Sequence, residues 1–120
     1  MGDAGRSRAK LLSNILERGD RLARFVDGMS KEGFLSDELT QAAVSKCVEV
    51  IGEASGELVR RHPDFVAAHP QLAFLQAYRT RNRLSHGYET IDWEIVWNAA
   101  TSDVPEFIVN VRSLLSKGVD

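Results

Sequence analysis

At 120 residues, with 43% hydrophobic and 27% charged side chains, the chain has the composition of one globular domain rather than a disordered segment. Fifteen Lys and Arg against seventeen Asp and Glu leave a formal charge of -2, so bulk charge does not announce nucleic-acid binding. A lone Cys47 excludes an internal disulfide framework and a multi-cysteine zinc site, and no apolar run approaches the roughly 18 residues of a membrane span.

The first periodic run carries Leu11, Leu12, Ile15, Leu16, Leu22, Ala23, Val26 and Met29, one apolar stripe along a helix, with Gly28 a candidate stop. Residues 1–7 read as a flexible start whose polar opening lacks a signal-peptide core, and a cytoplasmic location is expected. Ser30 to Leu35 is a connector with about one helical turn. Ser36, followed by Asp37 and Glu38, reads as the N-cap of a long second helix bearing Leu39, Ala43, Cys47, Val50, Ile51, Ala54 and Leu58 on one side. Arg60 and Arg61 sit in its last turn, and Pro63 stops it. Gly52 and Gly56 lie four apart on one face, where they either admit a second backbone or are merely tolerated.

A short turn is expected around Asp64–Ala68, and a third helix from Pro70 through Leu72, Phe74, Leu75, Ala77, Tyr78 and Leu84 to His86-Gly87. Asp92 caps a fourth, with Trp93, Ile95, Val96 and Trp97. Pro105 should kink or restart it, with Ser102 or Asp103 as a second cap, before a final stripe of Phe107, Ile108, Val111, Leu114 and Leu115. The fold expected over residues 1–120 is therefore a single all-α domain, an antiparallel bundle of four to five helices.

The chemistry concentrates in Arg79-Thr80-Arg81-Asn82-Arg83-Leu84-Ser85-His86-Gly87-Tyr88. Without Arg79, Arg81 and Arg83 the formal charge would fall from -2 to -5, so the segment is a positive island on an acidic protein. Guanidinium groups suit phosphate because their planar forks bind its oxygens bidentately. Leu75, Arg79, Asn82 and His86 share a stripe, a polar face that a bundle has no reason to bury. Arg81 and His86, five apart, are rotated by roughly 140° on a straight helix. They meet if the helix unwinds near Gly87, if Arg81 reaches around, or if a second copy completes the site across a two-fold axis. The plainer reading is a solvated arginine face, with His86 bonding the free carbonyls of a helix end.

Arg81-Asn82-Arg83-Leu84-Ser85-His86-Gly87-Tyr88 resembles the R-N-x-x-x-H-x-Y signature of the HepT-like branch of the HEPN superfamily. Ile51-Gly52-Glu53-Ala54, the Asp92–Trp97 run and Asp103-Val104-Pro105 are similar to further segments of that branch, in the same order, from about Arg8 to Leu115. Thr80 and Ser85 depart from it, standing where many relatives carry apolar residues. The resemblance implies an endoribonuclease, the toxin of a type VII-like toxin–antitoxin pair, working as a homodimer with its cleft between protomers. It implies an MNT-type nucleotidyltransferase antitoxin as partner, which silences the toxin by transferring AMP to Tyr88. Arg81, Asn82 and His86 correspond to the family's catalytic residues.

Residue chemistry then suggests how such an enzyme would cut mRNA or tRNA. RNA supplies its own nucleophile, the 2′-hydroxyl, so no metal or cofactor is expected. His86 would take the proton and Arg81 would stabilise the phosphorane. Asn82 would orient His86 or bond the phosphate, while Arg79 and Arg83 hold the RNA backbone. His62, His69 and His86 have no metal-ligand spacing. Two other readings use the same residues: an RNA- or nucleotide-binding module that does not cut, and a docking subunit for the nucleotidyltransferase.

Overall fold

Apolar side chains recurring every three or four residues commit most of this chain to helices, each with one face to bury. In the computed structural model the described residues are 5–86 and 90–119, the side chains of Ser85 and His86 excepted. They form α1 (Arg8–Val26), α2 (Lys31–Leu35), α3 (Glu38–Arg61), α4 (Pro63–Ala68), α5 (Phe74–His86), α6 (Trp93–Asn98) and α7 (Val104–Ser116). A π-helical turn, Ala99–Asp103, joins α6 to α7 as one rod. No strand occurs among the described residues, and the all-α bundle expected from the sequence is the fold.

Side-chain caps set most helix starts, because they satisfy amides that have no partner within the helix. Ser7 accepts from the Lys10 amide at 3.1 Å, Ser30 from Gly33 at 3.0 Å, and Asp92 from Glu94 at 3.0 Å. Ahead of α1, Arg6 bonds to α3. Its guanidinium lies 2.7 Å from a Glu57 carboxylate oxygen, and its backbone amide donates to the other oxygen at 3.0 Å.

Three expected boundaries move. Asp37, not Ser36, caps α3 by accepting from the Thr40 amide at 3.1 Å, because the Ser36 hydroxyl is spent closing α2 on the Glu32 and Gly33 carbonyls. Pro70 does not open α5, which starts at Phe74. The chain turns first, so that Leu72 and Phe74 both drop into the core. Pro105 neither breaks the last rod nor draws a cap from Ser102 or Asp103, since Asp103 is helical (φ -67°, ψ -46°) with no side-chain cap bond. The Val104 amide instead bonds the Ala99 carbonyl five residues back, and this wider turn takes in a proline that has no N–H to give.

The core has two parts. Leu11, Leu12, Ile15, Ile51, Leu58, Phe65, Phe74, Phe107, Ile108 and Val111 fill one end, where α1, α3 and α7 meet. Leu22, Phe34, Val44, Cys47, Val48 and Val96 fill the other, with Phe34 tilted 5.3 Å from the Trp97 ring. Burial among these apolar groups raises the Cys47 thiol above its ordinary range. Leu39, expected on the buried side of α3, is 81% exposed. Helix α3 packs against both α1 and α5, and its seam with α5 positions the arginine segment.

Candidate functional site

Two glycines decide how α5 sits. A Cβ at Gly52 would overlap Arg81 Cβ and lie 2.7 Å from the Ala77 carbonyl oxygen. A Cβ at Gly56 would overlap the Tyr78 ring. Of the two sequence readings, close approach is therefore the one realised: α5 lies directly on the bare backbone of α3. Because Gly52 faces Arg81 and Gly56 faces Tyr78, the two helices run antiparallel.

That seating aims Arg81 along the seam rather than out to solvent. Its Nη1 donates to Asn82 Oδ1 at 3.1 Å, its Nη2 stands 3.9 Å from Glu53 Oε2, and its Nε is buried without a hydrogen-bond partner. The side chain is 30% exposed, so the guanidinium tip remains accessible while its stem is held. A guanidinium has five N–H groups, so beyond its bond to Asn82 this partly exposed cation keeps donors on Nη1 and Nη2 that suit an incoming oxyanion. Asn82 thus orients Arg81. His86 belongs to the last turn of α5, but its side chain, like all of Tyr88, lies outside the described residues.

Arg79 and Arg83 point elsewhere. Both are exposed, and with Leu75, Gln76 and Asn82 they line an open groove on the outer face of α5. The expected Leu75–Arg79–Asn82 stripe is therefore real, and Asn82 links it to Arg81 on the seam. Thr80 faces a third direction, into a cleft of about 270 Å³ between α5 and α7 floored by Val48, Ile51, Ala77 and Phe107. Its hydroxyl donates to the Gln76 carbonyl at 3.0 Å. The other two histidines have structural occupations: His62 Nε2 is 3.1 Å from the Arg6 carbonyl oxygen, and His69 leans on Phe65 at 4.8 Å.

Sequence reasoning placed Glu53, Arg60 and Tyr78 on their helices but gave them no part in the site. Arg60 lies over the Tyr78 ring at 5.6 Å, one turn along the seam from Arg81. The signal was present, since Tyr78 is three residues before Arg81 and the glycines beneath them are four apart.

The family described as Ribonuclease HepT-like matches residues 15–114, and the chain belongs to that family, within the HEPN superfamily. A candidate RNase of Methanocaldococcus jannaschii is 35% identical over 104 residues, 87% of this chain and 84% of its own. A protein of Thermococcus cleftensis named Probable ribonuclease HepT is 33% identical over 100 residues, 83% of this chain and 88% of its own. A candidate RNase of Caldanaerobacter subterraneus subsp. tengcongensis is 28% identical over 106 residues, 88% and 92% of the two chains. No solved structure matches the chain.

Proposed function

We propose that this chain is a metal-independent endoribonuclease in which Arg81 clamps the scissile phosphodiester. The observation that carries the reading is Arg81 itself: a partly exposed guanidinium held by Asn82, beside Glu53, with N–H groups to spare on both Nη atoms. Preorganised donors of this kind cost no reorganisation when charge develops on the phosphorane, which is why they stabilise it better than water does.

In the proposed reaction the 2′-oxygen of one nucleotide attacks its own 3′-phosphorus. His86 takes the 2′-hydroxyl proton, the P–O5′ bond breaks, and the leaving 5′-oxygen gains a proton from an acid. The products are a 2′,3′-cyclic phosphate and a 5′-hydroxyl. Arg79 and Arg83, exposed along the outer groove, hold flanking phosphates. A second copy of the chain completes the cleft, and its His86 supplies the leaving-group proton. Family membership supports the further reading of a toxin restrained by a nucleotidyltransferase antitoxin that moves AMP from ATP onto the Tyr88 hydroxyl, releasing pyrophosphate. The added phosphate would occupy the arginine island and exclude RNA.

The test is incubation of the purified chain with tRNA and mRNA in the presence of chelator, followed by end-group analysis. Cyclic-phosphate ends made by the wild type and lost in His86→Ala support the scheme. Undiminished cleavage by His86→Ala, or cleavage that needs added divalent ions, overturns it. For the regulatory step, Tyr88→Phe should escape both AMP transfer and silencing; a variant still modified and silenced would refute that assignment.

A further inference from the structure

We propose that Arg60 and Tyr78 form a nucleobase-stacking subsite beside Arg81. The proposal rests on the ribonuclease reading and adds to it a place for a base next to the place for a phosphate.

The geometry of the seam carries it. The Tyr78 ring is seated against bare backbone at Gly56, so it is backed by the helix and cannot retreat. The Arg60 guanidinium lies over that ring at 5.6 Å, and Arg60 is exposed. Arg60 and Glu53 are seven residues apart on α3, two turns on one side of the helix, and Glu53 is the residue that stands by Arg81. Arg60, Tyr78, Arg81 and Asn82 therefore border the same side of the α3–α5 seam.

The chemistry follows from these positions. A guanidinium plane resting on an aromatic ring offers its outer face to a heterocycle, and nucleobases stack on both aromatic and guanidinium planes. A phosphate on Arg81 would bring its nucleoside within one helical turn of that stack. Every base has a π-face, so the subsite takes single-stranded RNA with little sequence preference. A base paired in a duplex would keep its faces covered by its neighbours.

The experiment uses the full chain and a short 2′-O-methyl oligoribonucleotide, which has no nucleophile and is not cut. An oligomer of the same length and charge with abasic sugars throughout is the control. The wild type should bind the base-bearing strand about tenfold more tightly than the abasic one. Arg60→Lys keeps the charge but loses the plane. Tyr78→Leu keeps an apolar contact on Gly56 but loses the ring. Both should bring the two affinities together by weakening only the base-bearing strand, while Tyr78→Phe keeps the preference. A wild type with no preference, or an Arg60→Lys protein that retains it, overturns the subsite. Arg60 is on the surface, so that variant tests stacking without disturbing the core. Base preference without cleavage of natural RNA would leave the subsite standing and remove the nuclease; cleavage without base preference would do the reverse.

Discussion

The seam between α1 and α7 and the seam between α3 and α5 are built with the same device and put it to different uses. In each, a glycine lets a side chain of the opposite helix sit against bare backbone: Gly19 receives Ile108, and Gly52 receives Arg81. Ile108 is aliphatic and 6% exposed, so its seat adds to the core. Arg81 carries a charge that burial would penalise, so its seat leaves the guanidinium at the edge with Asn82 and Glu53 around it. A small residue at a helix crossing specifies proximity; the guest determines whether that proximity buries an apolar side chain or holds a charged one at the edge of the seam.

Breaking each guest separates the two uses. Arg81→Ala should lower cleavage by about 10²–10³-fold, the range for removing one preorganised donor. Its melting temperature should stay close to that of the wild type, because no cavity forms in the core. End-group assays beside thermal unfolding check this, and unchanged cleavage would remove Arg81 from the chemistry. Ile108→Ala should do the opposite: about 3 kcal/mol of stability lost in a denaturant titration, with cleavage per folded molecule retained.

Filling the seats sharpens the contrast further. Gly52→Ala should cost about 2 kcal/mol, despite the better helix propensity of alanine, because the new methyl meets the Ala77 carbonyl oxygen of the α5 backbone. It should also displace Arg81 and reduce cleavage. Gly19→Ala should cost less, since the atoms it meets, Cδ1 and Cγ1 of Ile108, belong to a side chain rather than to backbone. If the two alanine variants melt alike, backbone contact is not what distinguishes the seams.

The smallest effect concerns pH and lies away from both seats, at the foot of α3. Burial pushes the Glu57 carboxyl up, but hydrogen bonds from the Arg6 side chain and amide, with the charges of Arg6 and Arg61, outweigh it and hold the group below its ordinary 4.5. A carboxyl depressed on folding contributes stability above its unfolded pKa and loses it as pH falls through the folded one. Glu57→Gln should therefore cost about 1 kcal/mol at neutral pH and flatten the loss of helicity below pH 4.5, as followed by circular dichroism.

Local rules made much of this legible. The stripes of α1 and α7, the Asp92 cap and the stop after Val26 follow from periodicity, capping and a glycine at φ 73°, all properties of neighbouring residues. The arginine segment was visible as a charge anomaly, and its division into Arg79 and Asn82 on one stripe and Arg81 off it followed from helix geometry. Elsewhere the stripe reasoning failed where no partner helix arrived. Leu39 has the right spacing on α3 but stands in solvent, because burial depends on what lies opposite. Pro105 shows a second limit: its missing amide was plain, but the π turn that takes it in also needs Ala100 in the core and the Val104 amide aimed at Ala99.

By itself, then, the sequence determined which stretches are helical, where most of them start and stop, and which short segment concentrates guanidinium groups. Those properties depend on torsions, caps and charges within a few residues. Only the tertiary structure decided that Gly52 and Gly56 are seats, that Arg81 lies along the seam beside Asn82 and Glu53 while Arg79 and Arg83 face solvent, and that Arg60 covers Tyr78. Apart from the bond between the neighbours Arg81 and Asn82, each of these contacts joins residues 18 to 29 positions apart, and steric contact between two helices has no counterpart in either helix alone.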